Sequence, residues 1–210
     1  MAKQSYLKFN DPAPNAELLN LKNEPVKISS LWKKQVVILA FARHFGCPQC
    51  KEMIERLASS SAKMKSNGFL LVIVTQGTPQ VAKAFCTEHA PGVTCLTDPE
   101  RKAYRSYGLE RAAFWRVFLS PRTWTSNLRL LREKGWRTEW PPAGQDALQL
   151  AGIFIIGTDG RVRLPYYYEH IADHPPMDLL MHGVMGVNWK TPFEKPVAPM
   201  HETGKHKTKK

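Results

Sequence analysis

Hydrophobic and polar positions alternate between two rhythms along this chain, and the change between them marks its elements. Val36–Phe41 is an unbroken apolar, β-branched run of strand length. Directly after it, Cys50, Met53, Ile54, Leu57, Ala58 and Met64 fall on one face of a 3.6-residue period, which predicts a helix over about 48–66. Asn67-Gly68 stops that helix. Phe69-Leu70-Leu71-Val72-Ile73-Val74 follows as a second strand, apolar enough to be central and covered on both faces. Thr78-Pro79 then opens a helix as N-cap and first residue, with Val81, Ala82 and Phe85 facing inward and Cys86 on the same face as Ala82. Pro91-Gly92 precedes a short strand, Val93-Thr94-Cys95-Leu96. Asp98-Pro99 begins a third helix that runs to Tyr107 and ends at Gly108.

On either side of this βα–βα–βα series the pattern loosens. Residues 5–35 form an extended lead-in: a strand over 16–21, a reversal at Lys22-Asn23-Glu24-Pro25, a returning strand Val26-Lys27-Ile28, and a helical turn through Leu31-Trp32 capped by Ser29 or Ser30. Residues 110–147 break the rhythm with arginine and tryptophan: Trp115, Arg116, Arg122, Trp124, Arg129, Arg132, Trp136, Arg137 and Trp140. They read as an insertion carrying a helix over 126–133 and a loop at Pro141-Pro142-Ala143-Gly144. The chain resumes as a β-hairpin: Gly152–Ile156, an Asp-Gly turn, and Arg161-Val162-Arg163-Leu164 continuing into Tyr166-Tyr167-Tyr168. An apolar helix over 177–185 closes the domain. The pattern therefore predicts an α/β domain over 1–187 with an insertion at about 110–147, and a basic flexible tail over 188–210.

At 210 residues and 43% hydrophobic content, the chain has enough core for one such domain. No apolar run approaches the roughly 18 residues of a membrane span, and the first residues lack the apolar stretch of a signal peptide. A cytoplasmic location is the expectation. The net charge of +12 favours acidic partners. No nucleic-acid motif accompanies it, so a solvated basic surface and no specific nucleic-acid partner are expected. The arginine- and tryptophan-rich insertion has two readings, a surface for a membrane or anionic partner and a segment packed against the domain. Packing is the simpler one.

The chemistry concentrates at Cys47-Pro48-Gln49-Cys50. Cys47 sits where the strand turns into the helix, and Pro48 fits the first helical position. Free N–H groups and the helix dipole at that end favour a thiolate; such settings lower a cysteine from about 8.5 to roughly 3.5–7.5. Cys47 is the expected nucleophile and Cys50, one turn inward, the resolving thiol. A zinc site needs a second ligand pair at matching spacing, and Cys86 and Cys95, nine residues apart, do not supply one. His170, Asp173 and His174 surround a proline turn, where capping is commoner than ligation. No metal and no bound organic cofactor are expected. Arg43 and His44 stand near the cysteines, with directions the sequence does not fix.

The order of elements, with Cys-X-X-Cys after the first long strand, resembles the thioredoxin-like pattern. Ala13-Pro14, Val26-Lys27-Ile28-Ser29-Ser30-Leu31 and Val36–Phe41 resemble the peroxiredoxin superfamily of alkyl hydroperoxide reductases and thiol-specific antioxidant proteins. Arg43-His44-Phe45-Gly46-Cys47-Pro48-Gln49-Cys50, Tyr107-Gly108-Leu109, Gly152–Ile156 and Asp173-His174-Pro175-Pro176 look like the peroxiredoxin-like 2 family, over roughly residues 8–182. The resemblance implies a three-layer fold with a mixed central sheet and a helical insertion before the C-terminal hairpin. It also implies a thiol-dependent oxidoreductase that cycles Cys47 and Cys50, with a peroxide or disulfide substrate and an external reductant of thioredoxin or glutathione type. Two alternatives stand beside it: a thiol peroxidase working through a Cys47 sulfenic acid assisted by Arg43, and a non-enzymatic redox sensor or adaptor that uses the insertion. The sequence departs from typical peroxiredoxins seven and three residues before the cysteine, where Ala40 and His44 replace Pro and Thr or Ser. It departs from thioredoxins in having Ala151-Gly152, and no cis-proline, before Ile153, which would leave backbone open to a substrate.

Overall fold

Val36–Phe41 forms strand β3, and every one of its side chains is buried. A computed structural model describes residues 6–113, 121–169, 171–182 and 189, and β3 lies inside its seven-stranded sheet. The other strands are β1 (Glu17–Asn20), β2 (Pro25–Lys27), β4 (Phe69–Thr75), β5 (Thr94–Thr97), β6 (Gly152–Ile156) and β7 (Val162–Tyr167), in the spatial order β2-β1-β5-β4-β3-β6-β7. β3 pairs in parallel with β4, Val36 opposite Phe69 through Phe41 opposite Val74, and β4 pairs in parallel with β5. β6 joins the other side of β3 antiparallel, and β7 closes the hairpin. The sheet is therefore mixed. The carboxyl ends of β3, β4 and β5 share one edge, where open α/β sheets place their sites.

Alternate residues of the central strands feed two apolar layers, as the period-two geometry of a strand requires. Ile38, Ala40, Ile73 and Ile153 meet Met53, Ile54 and Leu57 of helix α1 (Pro48–Ser59), and Ala82 and Phe85 of α3 (Pro79–His89). Val37, Leu39, Phe41, Val74 and Phe154 meet Ala103 and Tyr104 of α4 (Lys102–Ser106), and Tyr107 just beyond it. The buried Tyr104 hydroxyl donates to the carbonyls of Ala42 (2.6 Å) and Val74 (3.0 Å), tying α4 to the sheet edge that carries the site. Helix α5 (Pro121–Lys134) lies in the insertion, and α6 (Met177–His182) follows the hairpin.

Several expectations change in detail. The helix over 48–66 is two helices, α1 and α2 (Ser61–Ser66), separated at Ser60. The Ser59 hydroxyl donates to the Arg56 carbonyl, the local competition by which serines loosen helices. Val81 faces outward at 41% exposure, because the buried face of α3 runs through Ala82, Phe85, Cys86 and His89. The third helix starts at Lys102 and not at Asp98-Pro99, since Arg101 is left-handed (φ 55°). The Asp98 carboxylate accepts the N–H groups of Lys102, Ala103 and Tyr104 in place of a regular cap. The turn after β2 is a 3₁₀ segment at Ile28–Ser30, one step earlier than Leu31-Trp32. α5 extends past both ends of 126–133. Trp115, Arg116, His170, the continuation of α6 to 185 and the tail over 188–210, Trp189 excepted, lie outside the described residues. Among the described residues, no helix is long and apolar enough to cross a membrane.

Candidate active site

After Phe41 the chain stays fastened to the sheet by the Ala42 N–H bond to Val74 O (2.8 Å), then turns through Arg43-His44-Phe45-Gly46 into α1. Cys47 is the extended N-cap residue of α1 (φ −94°, ψ 113°) and Pro48 follows at the first position, as the sequence predicts. Arg43 is 1% exposed and points back at Cys47, its Nη1 standing 3.2 Å from Sγ. Its other nitrogens donate to backbone carbonyls, Nε to Gln149 (3.0 Å) and Nη2 to Ala147 (2.5 Å). Carbonyls orient a guanidinium without cancelling its charge, so the full positive charge remains beside the sulfur. Gln149, itself buried, is held by its own Nε2 bonds to the Leu109 and Glu110 carbonyls.

Burial alone would push the Cys47 thiol up. The Cys50 thiol hydrogen bond, the Arg43 charge and the backbone N–H groups of Cys50 and Gln49 outweigh it and bring Cys47 down to about 6. Cys50 moves the opposite way, pushed well above its ordinary value by burial, by its hydrogen bond to Cys47 and by the Cys47 charge. The pair is thus asymmetric: a thiolate at Cys47 and a protonated thiol at Cys50 near neutral pH. The Gln49 side chain bridges outward, with Oε1 3.4 Å from the Cys47 sulfur and Nε2 donating to Asn127 of α5 (2.6 Å). His44, also buried, is lowered to about 4 by burial and by Arg43, so its imidazole is neutral at pH 7. Its Nδ1 has no hydrogen-bond partner among the described residues.

The insertion folds back over this turn. The Glu139 N–H donates to Gly46 O (2.9 Å), and Gln145 Oε1 accepts the Phe45 N–H (2.9 Å). A Cβ on Gly46 would come within 2.8 Å of the Glu139 carbonyl carbon and 2.9 Å of Trp140 O, so only glycine admits the strand of chain at 139–140. What remains is a cavity of about 160 Å³ bounded by Arg43, His44, Cys47, Thr123, Asn127 and Trp140, with Cys47 only 2% exposed at its floor. A small molecule can enter such a space, and a neutral histidine and a fixed guanidinium can bond to oxygen there.

The structure brings Cys47 and Cys50 together and turns both Arg43 and His44 into the site. It keeps Cys86 and Cys95 in the core, where a hydrogen bond to Cys86 and then burial push the Cys95 thiol up. Asp173 serves the turn, accepting the Tyr166 hydroxyl (2.9 Å) and the Glu169 N–H (3.1 Å), while the His174 ring lies against the Tyr168 hydroxyl (3.4 Å). Gly152 is not open backbone but a packing position, since a Cβ there would lie 2.5 Å from Leu109 Cδ2. Gln149, Asn127 and the 139–140 segment have no motif in the sequence. Only Gly46, placed directly before Cys47, hints that another segment passes close by.

A family model described as the AhpC/TSA family matches residues 9–164. The chain is 26% identical over 179 residues to the chloroplastic thioredoxin-like protein AAED1 of Arabidopsis thaliana, covering 81% of this chain and 71% of that protein. It is 24% identical over 179 residues to peroxiredoxin-like 2C of Homo sapiens, covering 82% and 79%. Among solved structures, a peroxiredoxin-like protein from Aquifex aeolicus superposes with a TM-score of 0.59 at 18% identity, covering 84% of this chain and 85% of that one, a likeness of fold.

Proposed function

The chain belongs to the AhpC/TSA family and is a thiol-dependent oxidoreductase of the peroxiredoxin-like class, and from that premise we propose that Cys47 and Cys50 are its working dithiol. The Cys47 thiolate attacks one sulfur of a disulfide RSSR, forming Cys47–S–S–R and releasing RS⁻. Cys50 then attacks the Cys47 sulfur, its proton goes to the departing RS⁻, the RS⁻ released first takes a proton from water, and the products are the Cys47–Cys50 disulfide and two equivalents of RSH. An external thiol of thioredoxin or glutathione type returns both electrons. The observation that carries this reading is the carbonyl-held Arg43 guanidinium 3.2 Å from the Cys47 sulfur, opposite a Cys50 thiol kept protonated.

The small size of the cavity, about 160 Å³, favours one further reading of the same pair, reduction of a small peroxide ROOH. Cys47 takes the terminal oxygen to become a sulfenic acid with loss of ROH. Cys50 condenses with it, losing water, to give the same disulfide. A Cys-X-X-Cys pair beside a βα pattern suits a reducing compartment, and we place the protein in the cytoplasm. The test is a pair of single-turnover rates on fully reduced protein, with hydrogen peroxide and with a small aromatic disulfide. At least one rate is fast and both vanish in Cys47→Ser. Equal rates in Cys47→Ser and wild type would overturn the assignment.

A further inference from the structure

Exposed apolar side chains are concentrated in one place. Six large ones are exposed among the described residues, and four of them lie between 124 and 140: Trp124 (67%), Leu128 (48%), Leu131 (39%) and Trp140 (89%). Scattered singly they would need no explanation, but gathered together they mark an interaction surface. Residues 124, 128 and 131 are spaced to form one stripe along α5. Its buried side, carrying Thr123 and Leu130, is already packed against the domain. Trp140 adjoins the same region, because it shares the Cys47 cavity with Thr123 and Asn127 of α5.

Charge selects the occupant. Residues 121–140 hold five basic side chains against two acidic ones, on a chain of net charge +12. Arg129, at 44% exposure, is paired with Glu52 and Glu133, and Lys134 with Glu55, while Arg132, next to Leu131, and Arg137, after the helix, lie exposed. A helix with tryptophan and leucine on one face and arginine at its edges matches a lipid–water interface, where the rings and methyl groups enter the acyl boundary and the guanidiniums remain with the phosphates. Negatively charged headgroups add to the attraction with each nearby cation.

We propose that α5 and Trp140 form a docking face for an anionic lipid surface. Docked in this way, the chain sets the mouth of the Cys47 cavity beside the lipid. The docking itself does not rest on the redox reading, since the face and its charge are present whatever Cys47 does.

The full chain, at about 0.1 M salt, is sedimented with vesicles of phosphatidylcholine containing about 30% phosphatidylserine, and separately with vesicles of phosphatidylcholine alone. Wild type partitions onto the anionic vesicles at least about tenfold more strongly than onto the neutral ones. Leu128→Ser/Leu131→Ser and Arg132→Glu each weaken that partition about tenfold or more, and both keep the wild-type alkylation rate of Cys47 in solution, which reports an intact fold. Failure of wild type to bind, or equal binding to both vesicles, overturns the proposal. Undiminished binding of both variants also overturns it, and assigns the attraction to the lysines of residues 201–210.

Discussion

Arg43 stands between a buried sulfur that ought to be inert and a thiolate ready to react. Burial disfavours the Cys47 anion, and the guanidinium together with the Cys50 hydrogen bond restores it to about 6. Cysteine reacts as the thiolate, so alkylation of Cys47 by iodoacetamide rises as pH passes through about 6 and levels off above 7. Arg43→Met moves that midpoint upward by a unit or more, and the rate at pH 6 falls about fivefold for the first unit. A pH–rate profile that does not move would remove Arg43 from the account. His44 and His174 carry a second pH effect. Burial lowers each to about 4, with Arg43 adding to it at His44 and Arg56 at His174. Between about 4 and 6.5 the unfolded chain then binds more protons than the folded one, so stability falls as pH drops through that window. The melting temperature at pH 4.5 should lie about 5 °C or more below that at pH 7, and His44→Leu should lessen the difference. At this scale the sequence singles out the two cysteines proposed as the dithiol, because a strand leads into Cys-Pro-Gln-Cys at the head of a helix. Arg43 is visible too, as a neighbour without a direction. Gln149, which holds it, lies 106 residues away and has no local signature.

The elements that build the site meet at Gly46. α1 supplies the thiolate position, and the segment at 139–140 covers it so closely that a methyl group would collide with backbone. Gly46→Ala therefore costs about 1–3 kcal/mol of stability, as overpacked positions do, and displaces the cover. The measurement is alkylation of Cys47 by a small and by a bulky maleimide: the bulky reagent gains at least about tenfold in the variant while the small one changes little. Equal gains would mean that the 139–140 segment does not gate the cavity. Periodicity discloses α1 and α3, but it runs α1 on past Ser60 and turns Val81 of α3 inward. It misplaces the start of α4, because the Asp98 carboxylate gathers three N–H groups from beyond a left-handed Arg101, a cap that no local pattern announces. It also undersizes α5. The pattern marks the helix over 126–133 alone, whereas it starts at Pro121, and Trp124 in its first turn looks out to solvent.

On the scale of the molecule, the seven-stranded order places the carboxyl ends of β3, β4 and β5 at one edge, and the insertion between α4 and β6 closes over that edge. The βα–βα–βα rhythm and the Asp-Gly hairpin make this architecture legible in the chain. The place of the insertion is not legible, since its anchors are long-range: Gln49 to Asn127, Phe45 to Gln145 and Arg129 to Glu52. In the proposed function the arrangement has one chemical purpose, the transfer of two electrons from the Cys47–Cys50 dithiol to a disulfide or peroxide. Peptide mapping by mass spectrometry, after the reduced protein meets one equivalent of hydrogen peroxide or of a small disulfide, tests it most directly. The expected product is a single intramolecular Cys47–Cys50 disulfide, with Cys86 and Cys95 still free. In Cys50→Ser oxidation is held at Cys47, as a sulfenic acid or a mixed disulfide. Oxidation that falls first on Cys86 and Cys95, or that leaves Cys47 and Cys50 reduced, would contradict the proposed function.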